Sequence, residues 1–341
     1  MAEPTAAQIE SYRRDGFLIV DSFLERSRLT AVRERFMRVF EHDWETGLAP
    51  DEVNYTPGVT APDLTRQLCN VWKADRVLAG ITLAPRVGAF AARLAGLPGA
   101  RLAQDNAIWK PPSAKALLCH QDAAYLGHLD PPNMTTCWIA LDDTAADTGT
   151  IYYARGSQHW RHAPIGGTFH APEDWLGHVR ASIPPGTELE LVPIEVPAGG
   201  AAFHDGWTFH GSPPNQRADA QRRSIISHLI STDTRWNPTR PHPIYSRYRR
   251  PGEHELDEAF SRSCGRTATA VAAPRIPVRA ASGRGPTGPV SRWRAPRGQA
   301  LSAAPGPVSA PDRCRAAPPR DAAPAPTGAS RACRSARVPP P

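Results

Sequence analysis

The stretch KALLCHQD, residues 115–122, decides how the rest of this 341-residue chain is read. It is a short apolar run that ends in two chemically useful side chains. A β-strand turns successive side chains to opposite faces, so His120 and Asp122 project together while Cys119 and Gln121 project the other way. One imidazole and one carboxylate on a common face supply two ligands of a 2-His-1-carboxylate facial triad, the donor set of non-haem Fe(II) sites. An HxD tripeptide alone is more often an accident of composition than a metal site. A second histidine, distant in sequence, has to complete the set.

Two histidines in AAFHDGWTFHGSPPN (201–215) compete for that place. His204 and His210 share a face if the strand is straight. His210 is preferred because it runs into a Gly-Ser turn and is followed twelve residues later by Arg222. Arg222 opens the strand-like RRSIISHLI (222–230), where a guanidinium can grip a carboxylate with two parallel hydrogen bonds. A one-residue shift of register would exchange Arg222 with Arg223. His204 and His228 are expected to support ligands or fill core, and His159 and His162 to face solvent. The triad is therefore expected from His120, Asp122 and His210.

Outward from this stretch, short apolar runs alternate with Gly, Pro, Asn and Asp. They include ARLAQDNAIW (100–109), TTCWIALDD (135–143), GTIYYA (149–154) and ELELVPIEV (188–196). Many short strands with turn signals between them predict an all-β core over about 101–232, a jelly roll or double-stranded β-helix with flanking helices. The Gly/Pro/His-rich 163–187 stretch reads as an insertion loop. Upstream, a capping box at Thr5 and Gln8 predicts a helix over 5–15 ended by Gly16. FLIVDSFL (17–24) reads as a strand. Leu29, Val32, Phe36 and Phe40 give 26–46 a helical period, and a weaker helix is expected over 82–96.

Charge divides the chain at about residue 260. Residues 261–341 hold 15 of the 37 prolines, with 14 Arg, 2 Asp and neither Lys nor Glu. That segment carries about +12 of a whole-chain +7, so residues 1–260 sum to about −5. The basic character belongs to the tail, and whole-chain charge gives no reason to expect a nucleic-acid partner. The tail lacks a hydrophobic period and is expected to be disordered. A reading-frame slip after LDEAF (256–260) also accounts for its abrupt composition. No run of 18 apolar residues is present, so no membrane span is expected. The six cysteines form no CxxC pair, no secretory signal pattern opens the chain, and a reducing cytoplasm is the expected location.

At this point the motifs are recognisable. WKPPSAKALLCHQDAAYL (109–126), NMTTCWIALDDT (133–144), GTIYYARGSQHW (149–160) and FHDGWTFHGSPPN (203–215) with RRSIISHLIS (222–231) resemble the phytanoyl-CoA dioxygenase family. IESYRRDGFLIVDSFL (9–24) resembles its opening helix and strand, so the likeness covers roughly residues 5–258 in order. The resemblance implies an Fe(II)- and 2-oxoglutarate-dependent oxygenase that uses O2. By it, His120, Asp122 and His210 match the iron ligands and Arg222 the partner of the distal 2-oxoglutarate carboxylate. Lys110, Trp138 and Ser212 match positions that help seat the co-substrate, and Gln121 falls beside the metal in the same motif. Arg155 stands where the family usually has proline, and one extra residue separates His210 from the arginine pair.

The implied chemistry is hydroxylation of an unactivated C–H of a small molecule, with release of succinate and CO2. Asp122 argues against a halogenase, in which that carboxylate position is vacated for chloride. Two rivals are a cupin-like metal enzyme that needs no 2-oxoglutarate, which Arg222 speaks against, and a catalytically silent jelly-roll module. The substrate is expected to be a secondary metabolite, with specificity in 48–66, in the loop after the triad motif and in 163–187. His128, Tyr125 and Trp175 are candidate lining residues. No protein partner is evident in the sequence.

Overall fold

The computed structural model describes residues 3–163, 165 and 169–264. Its elements in chain order are α1 (Ala6–Asp15), β1 (Phe17–Val20), α2 (Leu29–Phe40), β2 (Glu52–Val53), β3 (Arg66–Cys69), α3 (Arg76–Thr82) and α4 (Pro85–Ala95). There follow β4 (Ala100–Lys110), β5 (Leu117–His120), β6 (Leu129–Asp130), β7 (Met134–Ala140), β8 (Tyr152–Ala154) and α5 (Gly177–Ser182). The last are β9 (Leu191–Pro193), β10 (Ala201–Asp205), β11 (His210–Ser212), β12 (Arg222–Ser231) and β13 (Arg235–Trp236).

Seven strands form the major sheet in the order β1-β10-β7-β12-β4-β3-β2, and four form the minor sheet in the order β5-β11-β8-β9. All the pairings are antiparallel. This is the expected jelly roll. β12 lies between β4 and β7 and is buried along nearly its whole length, its serines and histidine included. Its alternation sorts two cores. Ile225 and Leu229 join α2, α3 and α4 in the larger core, with Phe36, Leu78 and Phe90. Ile226 points the opposite way, against Trp138, Tyr153 and Val196 between the sheets. Helices cover one face of the major sheet, and the minor sheet covers the other.

The first helix follows its signals closely. Thr5 and Gln8 make both bonds of the capping box, and Gly16 ends α1 at φ 84°. In α2 the predicted face of Leu29, Val32, Phe36 and Phe40 is buried. That helix stops at Phe40 rather than 46, because the apolar face runs out there and His42 adopts φ 62°. The weak helix expected over 82–96 is α4, opened by Pro85 at its first position, where a missing N–H costs nothing. It is preceded by α3, which sequence reasoning missed; Asp75 caps it by accepting from the Leu78 N–H at 2.9 Å. Residues 76–95 are together long and apolar enough to cross a membrane. The two helices are nonetheless separated at Leu83–Ala84, and Leu78, Ile81, Val87 and Leu94 are buried in the larger core.

Two features extend the expected boundaries. The major sheet recruits β1, β2 and β3 from outside 101–232, which carries the 48–66 region to the sheet's edge. At the other end the chain stays in the fold past Phe260. Cys264 donates its N–H to Ala100 O at 2.9 Å, Leu102 donates to Arg262 O at 2.8 Å, and Ser261 and Cys264 are fully buried. A Cβ on Gly88 of α4 would lie 1.6 Å from the Cys264 carbonyl oxygen. Gly88→Ala is therefore expected to dislodge this segment and destabilise the protein by about 1–3 kcal/mol, the usual cost of overpacking. Thermal unfolding should register a fall of roughly 2–4 °C per kcal/mol. The tail expected to be disordered, from 265 onward, lies outside the described residues.

Candidate metal centre

β5 and β11 run antiparallel with His120 directly opposite His210. The pairing brings the two rings to 4.4 Å between centroids. Such closeness needs a residue without a side chain beside His210. A Cβ on Gly211 would sit 2.7 Å from Cys119 Cα and 2.9 Å from its nitrogen, so the HGS glycine is what lets the strands meet. Gly211→Ala should push β11 off β5. A displacement of about 1 Å at a reacting centre can cost on the order of a hundred-fold in rate, and Fe(II) titration of the variant should show weakened binding alongside retained far-UV circular dichroism.

Each histidine is oriented by its own backbone. His120 donates from Nδ1 to Leu118 O at 2.9 Å, and His210 from Nδ1 to Thr208 O at 3.1 Å. Both Nε2 lone pairs then face Asp122 Oδ1, at 3.2 and 3.5 Å. Burial holds the His210 pKa well below the ordinary histidine value, so its ring is neutral at pH 7. Burial would raise the Asp122 pKa, but His210 and His228, followed by His120 and His204, overcome it and hold the carboxyl well below its usual range. One ligand atom from each of the three residues lies within 4.8 Å of the others. Lone pairs and a carboxylate oxygen converging without a proton between them repel, and a cation among them removes the repulsion.

The second oxygen of Asp122 is engaged elsewhere. Oδ2 accepts from Thr136 Oγ1 at 2.9 Å and from His204 Nε2 at 3.0 Å. Tyr153 hydroxyl donates to His204 Nδ1 at 2.9 Å. His204 thus spends both nitrogens on support, which separates it from His210. A further chain of donors points the same way: Gln104 to Asn106 at 3.2 Å, Asn106 to His228 at 2.9 Å, and His228 to Thr136 at 2.9 Å. The chain holds Asp122 so that Oδ1 faces the two histidines. Outer partners of this kind typically contribute 10–100-fold to metal affinity. His204→Phe is expected to lose about that much and still bind Fe(II); complete loss would show His204 to be a ligand itself.

Beyond the cluster lie two buried basic side chains. Arg222 pairs in register with Lys110 across β12 and β4, so both side chains share a face. They are 1% and 0% exposed, and neither has a carboxylate partner among the described residues. Arg222 donates to Ser224 Oγ at 3.2 Å and Gly149 O at 3.3 Å, while its Nε has no partner. Lys110 reaches Ser212 Oγ and Pro213 O. Burial lowers the Arg222 pKa to about 10, which leaves it charged at neutral pH, and lowers Lys110 well below its ordinary value. Trp138, with its Nε1 unpartnered, lies 5.9 Å from the Arg222 guanidinium. Arg223 is turned outward and bound twice to Asp142, at 2.9 and 2.6 Å, which resolves the register between the two arginines.

Gln121 requires a correction. It stands beside the triad in sequence but does not line the cavity. Its amide donates to Trp207 O at 2.7 Å and accepts from Ala163 N–H at 2.9 Å, so it ties two loops to β5 on the face that strand alternation had indicated. Trp175 likewise misses the cavity and packs near Tyr152. His128 and Tyr125 do line it. Arg155, in the place of the family proline, bridges Asp15 at 2.9 Å and Glu190 at 2.8 Å, tying the end of α1 to the residue that leads into β9. The described part of 163–187 is more than loop: it includes α5, and Trp175 O and Phe169 O accept from the N–H groups of Cys119 and Leu118.

The cluster opens on a cavity of about 410 Å³ between the sheets. Jelly roll, buried His/Asp/His donor set and adjacent cavity together define a cupin-like oxygenase class. The family model described as phytanoyl-CoA dioxygenase (PhyH) matches residues 12–224. The chain belongs to this family of Fe(II)- and 2-oxoglutarate-dependent oxygenases. It is 25% identical over 282 residues to the mouse (Mus musculus) phytanoyl-CoA dioxygenase domain-containing protein 1, covering 70% of this chain and 94% of that protein. In fold it is similar to the non-heme α-ketoglutarate-dependent carbocyclase SnoK from nogalamycin biosynthesis, with TM-score 0.59 and 21% identity, over 75% of this chain and 95% of that one. It is also similar to EctD from S. alaskensis with 2-oxoglutarate and 5-hydroxyectoine, with TM-score 0.56 and 15% identity, over 74% and 87% of the two chains.

Proposed function

We propose that His120, Asp122 and His210 hold Fe(II), that Arg222 receives the distal carboxylate of 2-oxoglutarate, and that the enzyme hydroxylates a C–H of a small secondary metabolite. The observation that carries this reading is the pairing of two incomplete charge sites. A carboxylate and two imidazoles converge on one side, and on the other the buried Arg222 guanidinium, with Lys110 beside it, lacks an anion. Burying an unpaired charge costs several kcal/mol, so a divalent cation and a dicarboxylate fit what the residues leave open. Iron with bound 2-oxoglutarate and O2 supplies the oxidising power, with succinate and CO2 as by-products.

The chain's own part is positioning. Backbone carbonyls aim the two Nε2 atoms, and Thr136 and His204 leave one Asp122 oxygen for the metal. Arg222 fixes one end of the co-substrate by charge and direction. Lys110 holds Ser212 in place, and Trp138 walls that end. Leu117, Leu126, Met134 and Phe169 line the cavity around the cluster and keep water from it. The four cysteines among the described residues are free and buried, which supports a reducing cytoplasmic location.

Anaerobic titration of the apoprotein with Fe(II), then 2-oxoglutarate, tests the reading. A visible metal-to-ligand charge-transfer band should appear only when both are present. Iron binding without the band would remove the co-substrate and leave a cupin-like metal enzyme.

A further inference from the structure

The cavity continues from the cluster along the inner face of the major sheet to β2 and to the segment around Tyr245. Strand register sets what this far arm contains. Glu52 lies opposite Cys69 and Cys69 opposite Asn106, so these residues share the inner face. Asn54 continues the row from Glu52 and donates its backbone N–H to Gln67 O at 3.0 Å. His128, His242 and Tyr245 close the arm from the other side.

Much of the hydrogen-bonding capacity here is unspent. Neither Asn54 nor Gln67 makes a side-chain hydrogen bond among the described residues. His128 is 4% exposed, yet neither ring nitrogen has a partner. Burial and the neighbouring His242 push its pKa down to about 3, so at neutral pH it offers one donor and one acceptor. An unsatisfied buried polar group costs about 1–3 kcal/mol. His128 is such a group, and together with the half-buried Gln67 and the exposed Asn54, whose amides are open on the same cavity, it marks a place where a ligand supplies hydrogen-bond partners.

The sign of charge narrows the ligand. Among the described residues no Lys or Arg lines the far arm; Arg222 and Lys110 lie behind Trp138 and Ser212 at the opposite end of the cavity. Besides Asp122 its one carboxylate is Glu52, which accepts from Tyr245 hydroxyl at 2.6 Å and forms no ion pair. A phosphate, a second carboxylate or a coenzyme A ester would enter this arm against negative potential with no cation to receive it. Carboxamides and a neutral imidazole both donate and accept, which is what hydroxyl groups require. Tyr245 and His242 stack at 4.5 Å and give the arm an aromatic wall for the C–H face of a ring.

We infer that this arm is the substrate head-group subsite and takes an uncharged, hydroxyl-rich ring of sugar-like chemistry, received by Glu52, Asn54, Gln67 and His128. The inference rests on the proposed oxygenase reading for its placement beside the oxidising centre, while the binding itself does not depend on iron.

The test is affinity under anaerobic conditions, using the full chain loaded with Fe(II) and 2-oxoglutarate. Matched 4-nitrophenyl probes (β-glucoside, β-glucosaminide and β-glucuronide) are compared with dodecanoyl-CoA by saturation-transfer NMR and calorimetry. The neutral glucoside should bind at least tenfold tighter than the glucuronide. Asn54→Ala with Gln67→Ala, and separately His128→Phe, should each weaken it at least tenfold. Retention of the iron–2-oxoglutarate band in these variants shows that fold and co-substrate seat are intact. Tighter binding of the glucuronide or the CoA ester would overturn the inference, as would no glucoside binding at millimolar concentration. Binding of the glucosaminide alone would replace it with an ammonium site at Glu52. A wild type that lacks the band but binds the glucoside would sink the oxygenase reading and leave the subsite standing.

Discussion

Asp122→Ala is expected to abolish Fe(II)-dependent turnover and the 2-oxoglutarate charge-transfer band, with a larger loss of iron affinity than any other single substitution at the cluster. Among the described residues the carboxylate is the only anion facing the two histidine Nε2 atoms, at 3.2 and 3.5 Å. Its removal leaves two imidazoles with no anionic ligand beside them and also strips Thr136 and His204 of their common acceptor. Loss of an outer partner alone typically costs 10–100-fold, and losing the ligand should exceed that. Because Asp122 is held well below the usual carboxylate range and His210 well below the ordinary histidine range, both are already in their metal-binding forms at pH 7. Iron binding at neutral pH should therefore displace few protons, measurable by calorimetry in buffers of different ionisation enthalpy. Wild-type turnover in Asp122→Ala with native iron would remove the triad.

Arg222→Ala should leave iron binding near normal and raise the concentration of 2-oxoglutarate needed for the band. Truncating one partner of a buried, hydrogen-bonded charge pair costs about 2–5 kcal/mol, which is roughly 30- to several-thousand-fold at 1.4 kcal/mol per decade. Arg222→Lys should not restore affinity. A lysine lacks the planar fork, and it would place a second ammonium next to Lys110, whose pKa burial and Arg222 already depress. If Arg222→Ala bound 2-oxoglutarate as tightly as wild type, Lys110 and Ser212 would have to be the anchor. The ratio of iron affinity to co-substrate affinity separates the two substitutions: the first moves both, the second only the latter.

Which parts were legible follows from the range of the forces involved. The period of two in KALLCHQD put His120 and Asp122 on one face, and both line the cavity. The same alternation sent Gln121 to the opposite face, where it is found, although its neighbourhood in the motif had placed it with the co-substrate. Choice between His204 and His210 was not available from spacing, since both line the cavity in the folded chain. Their difference lies in Tyr153, which is brought from β8 to occupy His204. Short elements were the other gap. β2 has two residues and α3 seven, too few for a period to show above background.

By itself the sequence determined the strand-rich core, the capped first helix, the apolar face of α2 and the common face of His120 and Asp122. Those depend on side-chain alternation, caps and turns, which act over a few neighbouring positions. Tertiary structure alone decided that His120 faces His210 across a glycine, that Arg222 points inward while Arg223 meets Asp142, and that Glu52, Gln67 and His128 share one cavity. These are consequences of pairing between strands distant in the chain. Register between such strands is set by the packing of whole faces, which no local stretch of sequence contains.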